Sequence, residues 1–575
     1  MSRRLLLSAA VLAAAVVAIQ LATLPPAPVA VDVSTWVADP GVTAVPGAYH
    51  VHTARSDGAG TPDEVALAAA AAGLRFVVLT DHGDATREPA PPAYLQDVLI
   101  IDAVEISTTG GHYVALDLPA APYPLAGEPR DVAEDVARLG GFGIAAHPTS
   151  AKPALEWTDW SVPFDGLEWL NADSEWRDET WMPLLRMPLG YLVRPAPALV
   201  SLLDRPDLAL ARWDALLARR RVVGLAAHDA HGHVGLRGRE DPYGDLGTVA
   251  VPSYDSSFRA FAVRVELDAP LTGDAAADAQ AVVGAIRGGR VFSGIDAIAA
   301  PVHLAFSATS GSVTARQGQT LLPAGRVTIT VRTVMPAGGG EVVLLQDGTV
   351  VRSASAGELV HEADAGRAAF RAEVRLPGAP GTPRVPWIVS NPIYIGPRAG
   401  EGDPVPPRLP ATTTQPLYVD SDVERWTVEL DPESRAAVDA TVTPEGSREL
   451  AFRYALRGSP AASQYAALVH PVDGGLTGWD RLQFRARASR PMRLEVQIRL
   501  PGERGGQRWY RSVYLDGTPR AVTVFFDELV PIGVTKRRRP DLALIDTVLF
   551  VVDANHTPPA TAGIVWLDDV ALGRR

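Results

Sequence analysis

Between about Ala48 and Ile298, short apolar runs alternate with stretches whose apolar residues recur at helical spacing. The runs Phe76–Thr80, Val98–Val104, Tyr113–Leu118, Gly143–Ala146 and Val222–Ala227 predict strands. The stretches Thr61–Gly73, Arg130–Leu139, Leu208–Arg220 and Asp278–Gly288 predict helices. Thr61 ahead of Pro62 and Asp63 reads as a helix cap followed by a first turn suited to proline and negative charge. Strand–helix alternation of this kind predicts a parallel sheet or an α/β barrel.

From about Ala299 to Gly396 the helical period disappears. Val327–Val334 and Glu341–Leu345 alternate, Gln346-Asp347-Gly348 turns the chain, and Thr349–Arg352 returns as a hairpin partner. This predicts a small β-sandwich. A Pro-, Gly- and Thr-rich tract from Pro397 to Pro416 reads as a linker. The remainder, from Leu417 to Arg575, carries the strand patterns Leu450–Arg457, Arg481–Arg487, Arg493–Leu500, Ala521–Phe526, Thr547–Val552 and Gly563–Leu567, spaced as in a jelly roll. The division expected is therefore 1–30, 44–298, 299–398, a linker at 399–416, and 417–575.

The first segment has Arg3 and Arg4 before an apolar run from Leu5 to about Leu24. Positive charge ahead of an apolar stretch is a secretory signal. The run also reaches the ~20 residues that span a bilayer, so an uncleaved membrane anchor stands beside a cleaved signal ending near Ala30. Either way the chain is expected to be exported, to a periplasm or beyond.

Composition narrows the chemistry. The 575 residues suit three or four folded units at about 150 residues each. A net charge of −13 leaves no basic field, which argues against a duplex nucleic acid partner. There is no cysteine, and the lysines are Lys152 and Lys536 alone. Disulfides, thiolate ligands and a cysteine nucleophile are excluded, and Schiff-base chemistry has almost nothing to use. A metal site here has to be made of histidine and carboxylate.

Eight of the twelve histidines lie between positions 50 and 233. His50 and His52 are two apart at the end of an extended segment, where period-two geometry turns both rings the same way. Asp57 follows in Ser56-Asp57-Gly58. His82 ends the next strand after Asp81, Glu105 ends the strand after that, and His112 opens the following one. His147 ends Gly143–Ala146, while Asp229 and His231 end Val222–Ala227. Carboxyl ends of strands are where catalytic residues meet in an α/β barrel.

The ordered set His-x-His, Ser-Asp-Gly, Thr80-Asp81-His82, Glu105, Ala146-His147-Pro148 and Asp229-Ala230-His231 resembles the PHP (polymerase and histidinol phosphatase) superfamily over residues 48–298. The resemblance implies a distorted (β/α)7 barrel with two or three divalent metal ions. It implies that His50, His52, Glu105 and Asp229 hold the first ion. Glu105 would bridge to a second completed by His112 and His147, and Asp57, His82 and His231 would hold a third. Asn391-Pro392-Ile393-Tyr394-Ile395 resembles the tail of exported, carbaryl-hydrolase-like members, whose substrates include ester-like bonds other than phosphate.

Nitrogen and oxygen ligands without sulfur suit Zn, Mn or Fe. A pair of such ions acidifies water for hydrolysis, so the expected activity is a metal-dependent phosphoesterase acting on a small phosphoester. Glu105 and Asp229 would be central to it, and His231 would either hold a third ion or protonate the leaving group. The alternatives are a carboxyl ester, carbamate or glycosidic bond, or a non-catalytic envelope carbohydrate-binding protein. Trp169–Leu203 reads either as an outer helical hairpin or as a lid whose Arg177 contacts a phosphate. His228, unusual before Asp229, and His233 read as exposed loop residues or as support for the ligands. Residues 417–575 resemble galactose-binding-like carbohydrate-binding jelly rolls through Gly478–Phe484, Trp509–Val513, Phe525–Leu529 and Ile564–Val570, making a glycan a candidate partner. Trp426, Trp509, Tyr510 and Tyr514 are either a sugar platform or core. Lys536–Arg539 reads as a solvated loop or as a contact for anionic envelope polymers.

Overall fold

The computed structural model describes residues 24–177, 187, 190–235, 248–249, 251–397, 408–419, 422–443, 446, 448–458, 464–502 and 506–575. The apolar N-terminal run, apart from Leu24, lies outside the described residues, as does the first half of the expected linker, 399–407. Among the described residues no helix is long and apolar enough to cross a membrane. The protein is multidomain and mostly β. It divides into two compact units, one of residues 1–119 with 128–403, the other of 120–127 with 404–575.

In the first unit, β1 (Thr43–Val51) leads through α1 (Pro62–Ala71) to β2 (Phe76–Leu79), β3 (Val98–Asp102), β4 (Val104–Thr108) and β5 (Gly111–Leu116). Then come α2 (Pro129–Arg138), β6 (Phe142–Ala145), β7 (Gly166–Asn171), α3 (Ala172–Arg177), α4 (Pro195–Val200), α5 (Asp207–Leu217) and β8 (Val223–Ala227). The segment ends with α6 (Tyr254–Phe258), β9 (Ala262–Leu267), α7 (Ala275–Arg287) and β10 (Val291–Gly294). Helix α1 starts where the sequence places it, in a capping box. The Thr61 hydroxyl accepts from Glu64 N, and the Glu64 carboxylate accepts from Thr61 N at 2.8 Å.

These strands form two sheets. One runs β8-β7-β6-β5-β4, and the other contains β10-β9-β1-β2-β3. The sheets touch along two seams. His228 N donates to Tyr49 O and His52 N to Ala230 O, both at 3.0 Å, and Val51 bridges Ala230 in parallel. On the other side His82 bridges Glu105, with Gly83 N donating to Glu105 O. The regular alternation expected from the sequence does not hold. β4 and β5 pair antiparallel as a hairpin, and the connections from β2 to β3 and from β6 to β7 carry no helix. Prolines explain this: Pro89, Pro91 and Pro92 lie in the first connection, Pro148, Pro153 and Pro163 in the second, and each denies a helix interior its N–H. Glu105 is also not at a strand end. The run Val98–Val104 breaks at Ala103, and Glu105 sits second in β4.

The sandwich strands do not stand apart from this unit. β11 (Ala305–Ser310), β12 (Val313–Arg316), β13 (Val327–Arg332) and β16 (Glu358–Ala363) form one four-stranded sheet. β14 (Glu341–Gln346), β15 (Thr349–Ala354), β17 (Ala368–Arg375), β18 (Ile388–Ser390) and β19 (Ile393–Ile395) continue the larger sheet, because β18 pairs with β10. Asn391, just past β18, explains the Asn-Pro motif. Its carboxamide oxygen accepts from Gly224 N, and its nitrogen donates to Gly224 O and Val291 O, all at 2.8 Å. One buried side chain thus stands in for ladder bonds between β8 and β10. Val29–Ala30 pairs in parallel with Ala299–Ala300, so residues at the end of the expected leader belong to this unit.

The second unit is a two-sheet β-sandwich. One sheet orders Arg435–Val442, Arg448–Ala455, Ala562–Arg574, Arg481–Ala488 and Arg520–Phe525. The other orders Thr427–Leu430, Tyr465–Pro471, Thr547–Asp553, Met492–Arg499, Arg508–Leu515 and Val530–Ile532. Phe452, Phe484, Leu494, Trp509, Phe550 and Leu567 fill the space between them. Trp426, Trp509 and Tyr510 are buried and present no aromatic platform; Tyr514 is half-buried. Lys536–Arg539 is exposed.

Candidate metal centre

All nine expected ligand residues meet in the first unit, where the two sheets adjoin. Their donor atoms fall into overlapping groups: His52, Asp57, His82 and His231; His50, His52 and Asp229; His50, Glu105 and His147; His82, Glu105 and His112. The atoms within each group lie within 4.8 Å of one another. His112 therefore joins His82 rather than His147, a different partition from the one the resemblance implies.

The backbone is shaped to bring them there. His50, His147 and Asp229 all take left-handed φ values, 64°, 48° and 45°, a conformation that costs a non-glycine residue ~1 kcal/mol or more. In β1 the register slips between Ala48 and Val51. Simple strand alternation is thus not what aligns the histidine pair, yet the turn still leaves His50 Nε2 and His52 Nε2 3.1 Å apart. The loop carrying Asp57 is tied down by buried Asp81, which accepts from Thr53 N at 2.7 Å, Thr53 Oγ1 at 2.8 Å and Ser56 Oγ at 2.8 Å. Gly58 lets this loop close, since a Cβ there would fall 2.4 Å from His52 O.

Glu105 is the hub. Its Oε1 lies 2.8 Å from His112 Nδ1 and 3.2 Å from His147 Nε2. Its Oε2 lies 3.3 Å from His50 Nε2, 3.2 Å from His52 Nε2 and 3.3 Å from His82 Nδ1. Asp229 Oδ1 faces His50 Nε2 at 3.4 Å and His52 Nε2 at 3.2 Å, and its Oδ2 faces His147 Nε2 at 3.6 Å. Asp57 spans His52 Nδ1 at 3.4 Å, His231 Nε2 at 3.3 Å and His82 Nε2 at 3.6 Å. Asp173, which the sequence reading passed over, groups with His147 and Asp229.

The donor set fits divalent ions. Glu105 Oε2, Asp229 Oδ1, His52 Nδ1 and His82 Nδ1 are buried and have no hydrogen-bond partner, an arrangement that costs ~1–3 kcal/mol per atom when nothing else satisfies it. Electrostatics agrees. Burial works to raise the Glu105 and Asp229 carboxyls, but the surrounding imidazoles hold both well below the ordinary range. Burial works to neutralise His52, but Asp229 and Glu105 lift it to about 10. His50 and His147 are raised the same way against their burial. The carboxylates thus draw positive charge into a dry site, a role cations fill as well as protons.

Glu168, in β7, was also missed. Fully buried, it takes His50 Nδ1 at 2.6 Å on one oxygen, and on the other His147 N at 3.0 Å and Asn171 Nδ2 at 2.8 Å. A proton on His50 Nδ1 leaves the Nε2 lone pair facing the cluster, the usual way a carboxylate orients a ligating histidine. One charged residue inside the apolar run Gly166–Leu170 was the available signal. His231 Nδ1 lies 3.0 Å from Asp229 O and its Nε2 3.3 Å from Asp57 Oδ1; a proton held on Nδ1 by the carbonyl would free Nε2 to ligate an ion.

Two expectations about neighbouring residues change. His228 is buried rather than exposed. Its Nε2 lies 2.9 Å from Phe261 O, its ring stacks on Phe261, and burial pushes its pKa down to about 4, so it packs as a neutral ring. Arg177 is engaged by Asp173 one turn earlier in α3, with Nη2 at 2.9 Å from Oδ1, and lies over the Trp176 ring. Its charge faces an acid. Within the expected hairpin or lid at Trp169–Leu203, residues 178–186 and 188–189 lie outside the described residues.

No family model and no curated protein matches this chain. Solved structures similar to it include a family 11 carbohydrate-binding module of a cellulosomal cellulase from Clostridium thermocellum, at 15% identity, covering 29% of this chain and 97% of that one, with a TM-score of 0.24. A family 30 carbohydrate-binding module is 14% identical over 28% of this chain and 99% of its own, with a TM-score of 0.22. An agarase is 15% identical over 28% of this chain and 24% of its own, with a TM-score of 0.19.

Proposed function

We propose that the first unit is a metal-dependent hydrolase of PHP type, its two sheets closing as a distorted barrel, and that it cleaves a small phosphoester. The observation that carries this reading is Glu105, a buried carboxylate with five histidine nitrogens at 2.8–3.3 Å around its two oxygens. His50, His52, Asp57, His82, Glu105, His112, His147, Asp229 and His231 would hold two or three ions of Zn, Mn or Fe. Such ions supply an acidified water and positive charge against the oxygens of the transition state.

The chain's own residues do the rest. Glu105 spans the groups of nitrogens with one side chain, because a carboxylate offers two oxygens. Glu168 holds the His50 ring and the His147 backbone in one orientation. Asp81 fixes the loop that presents Asp57. His231, with Nδ1 against the Asp229 carbonyl and Nε2 facing Asp57, would serve as a ligand once Nε2 gives up its proton. Arg177, neutralised by Asp173, reaches a phosphate only by exchanging that partner.

A second reading keeps the centre and changes the bond to a glycosidic, carboxyl ester or carbamate linkage. The donor set would serve a carbon electrophile as well as phosphorus; a barrel that binds metal without turnover is its non-catalytic limit. The test is metal analysis of the full chain, followed by a panel of phosphomonoesters, phosphodiesters, carbamates and glycosides. Two or three equivalents of metal with phosphoester turnover is the expected result. A metal-free protein refutes the centre, and turnover confined to another bond selects the second reading. Retention on insoluble glycans checks the sandwich separately.

A further inference from the structure

Three neighbouring strands of the first unit end alike. β8, β7 and β6 lie side by side in that order, with β7 parallel to both, so their carboxyl ends share one edge. That edge is where functional side chains gather in parallel α/β sheets. β6 ends at Ala145, and His147 follows two residues on. β8 ends at Ala227, and Asp229 follows two residues on. Both belong to the nine-residue ligand set. β7 ends at Asn171, and two residues on, between those two ligands, stands Asp173, which the set does not include. Distance agrees with topology. Donor atoms of His147, Asp173 and Asp229 lie within 4.8 Å of one another, and Asp229 Oδ1 is buried with no hydrogen-bond partner. The turn that carries Asp173 serves the same cluster on either side of it. Asn171 Nδ2 donates to Glu168 Oε2 at 2.8 Å, and Ser174 Oγ lies 3.3 Å from His147 Nδ1.

Asp173 has a cationic partner of its own. Its Oδ1 accepts from Arg177 Nη2 at 2.9 Å and from Trp176 Nε1 at 2.8 Å, and its Oδ2 accepts from Arg177 Nε. The Arg177 side chain is 31% exposed against 11% for Asp173, so the guanidinium, not the carboxylate, has water to retreat into. Among the described residues the polar contacts of Arg177 all lie within α3, so its departure breaks no tie to another element. On the metal-centre reading above, we infer that Asp173 is a tenth ligand. It completes, with His147 and Asp229, the hold on one divalent ion, and it exchanges Arg177 for that ion. Three divalent ions would bring six positive charges, against Asp57, Glu105 and Asp229 among the ligands and Glu168 behind His50. A fifth carboxylate narrows that excess in a buried site, where unbalanced charge is expensive.

The experiment measures metal binding rather than turnover, on the full chain stripped by a chelator and titrated with Zn2+, and separately with Mn2+, against a chromogenic chelator. Asp173→Asn keeps the size of the side chain but not its charge, and should weaken the binding of one equivalent about tenfold or more. Arg177→Gln removes the competing cation and should tighten the same equivalent by a similar factor, with Arg177→Lys restoring the affinity of the natural chain. Opposite signs from the two partners of one ion pair mark a ligand and its competitor. In a merely structural pair both changes weaken binding, or neither moves it. If Asp173→Asn does not fold, the Arg177→Gln shift decides, and the absence of tightening overturns the inference. Affinities that neither substitution moves, in a chain that does bind metal, overturn it too and leave the nine-residue centre standing. A natural chain that binds neither ion removes the centre itself, and the tenth ligand with it.

Discussion

Glu105 and Glu168 carry different loads at the same centre. Glu105 has both oxygens among histidine nitrogens, whereas Glu168 stands behind His50 and touches the cluster only through it. On the proposed reading Glu105→Gln removes the charge that would gather the ions, and metal analysis should find metal binding largely lost together with activity. Retained metal with unchanged turnover would show that Glu105 is not the hub. Glu168→Gln keeps an acceptor for His50 Nδ1 but loses the charge behind it. Losing such a supporting partner typically costs 10–100-fold in metal affinity, and chelator competition should read a drop of about that size with an unchanged circular dichroism spectrum. An unaltered affinity would reduce Glu168 to a packing residue. Glu105 was legible in the sequence because it belongs to an ordered motif set. Glu168 was not, because its role depends on β7 lying beside β8 and β6, a long-range fact.

Strand seams decide whether the centre is held at all. Asn391 satisfies three backbone groups that no strand reaches. Asn391→Ala leaves them buried and unpaired at ~1–3 kcal/mol each, and urea denaturation should report a loss of roughly 3 kcal/mol or more. Little change in the midpoint would mean that water replaces the carboxamide. Glu266, on β9, gives the same region a pH dependence. It is buried with one oxygen bonded to Gln317 Nε2 at 2.7 Å and the other unpartnered. Burial, opposed by the Gln317 bond and Arg316, raises its pKa from 4.5 to about 7. Between those values folding takes up a proton, so stability falls as pH rises from 4.5 to about 7 and stays lower above, by ~3 kcal/mol. Glu266→Gln should therefore raise the melting temperature at pH 8 and leave it nearly unchanged at pH 4. An equal shift at both pH values would assign the effect to packing.

At the scale of the whole molecule, the expected boundary at 298/299 crosses a continuous sheet, since β10 pairs with β18. The seam is also charged. Arg371 of β17, almost fully buried, reaches Asp214 of α5 at 2.6 and 2.7 Å and Glu373 at 2.6 Å, while Arg205 closes on Glu373 at 2.7 and 2.8 Å. A fragment of residues 44–298 exposes the β10 edge and leaves Asp214 unpaired, both liabilities for solubility. It should aggregate on expression, whereas residues 24–403 should be soluble and melt in one transition. A soluble, cooperatively folding 44–298 fragment would show that the sandwich is dispensable.

The sequence by itself determined the local elements and the donor inventory. Apolar periodicity and the Thr61 cap place α1, α2, α5, α7 and the short strands close to where they lie, and the absence of cysteine confines any metal site to histidine and carboxylate. Those signals are local, written in side-chain spacing. Tertiary structure alone decided the slip in β1 that replaces simple alternation, the sharing of one sheet between the α/β segment and the sandwich, and the burial of Trp509 and Tyr510. Each depends on which strand pairs with which, and the pairing partners lie tens to hundreds of residues away, where no local pattern specifies them.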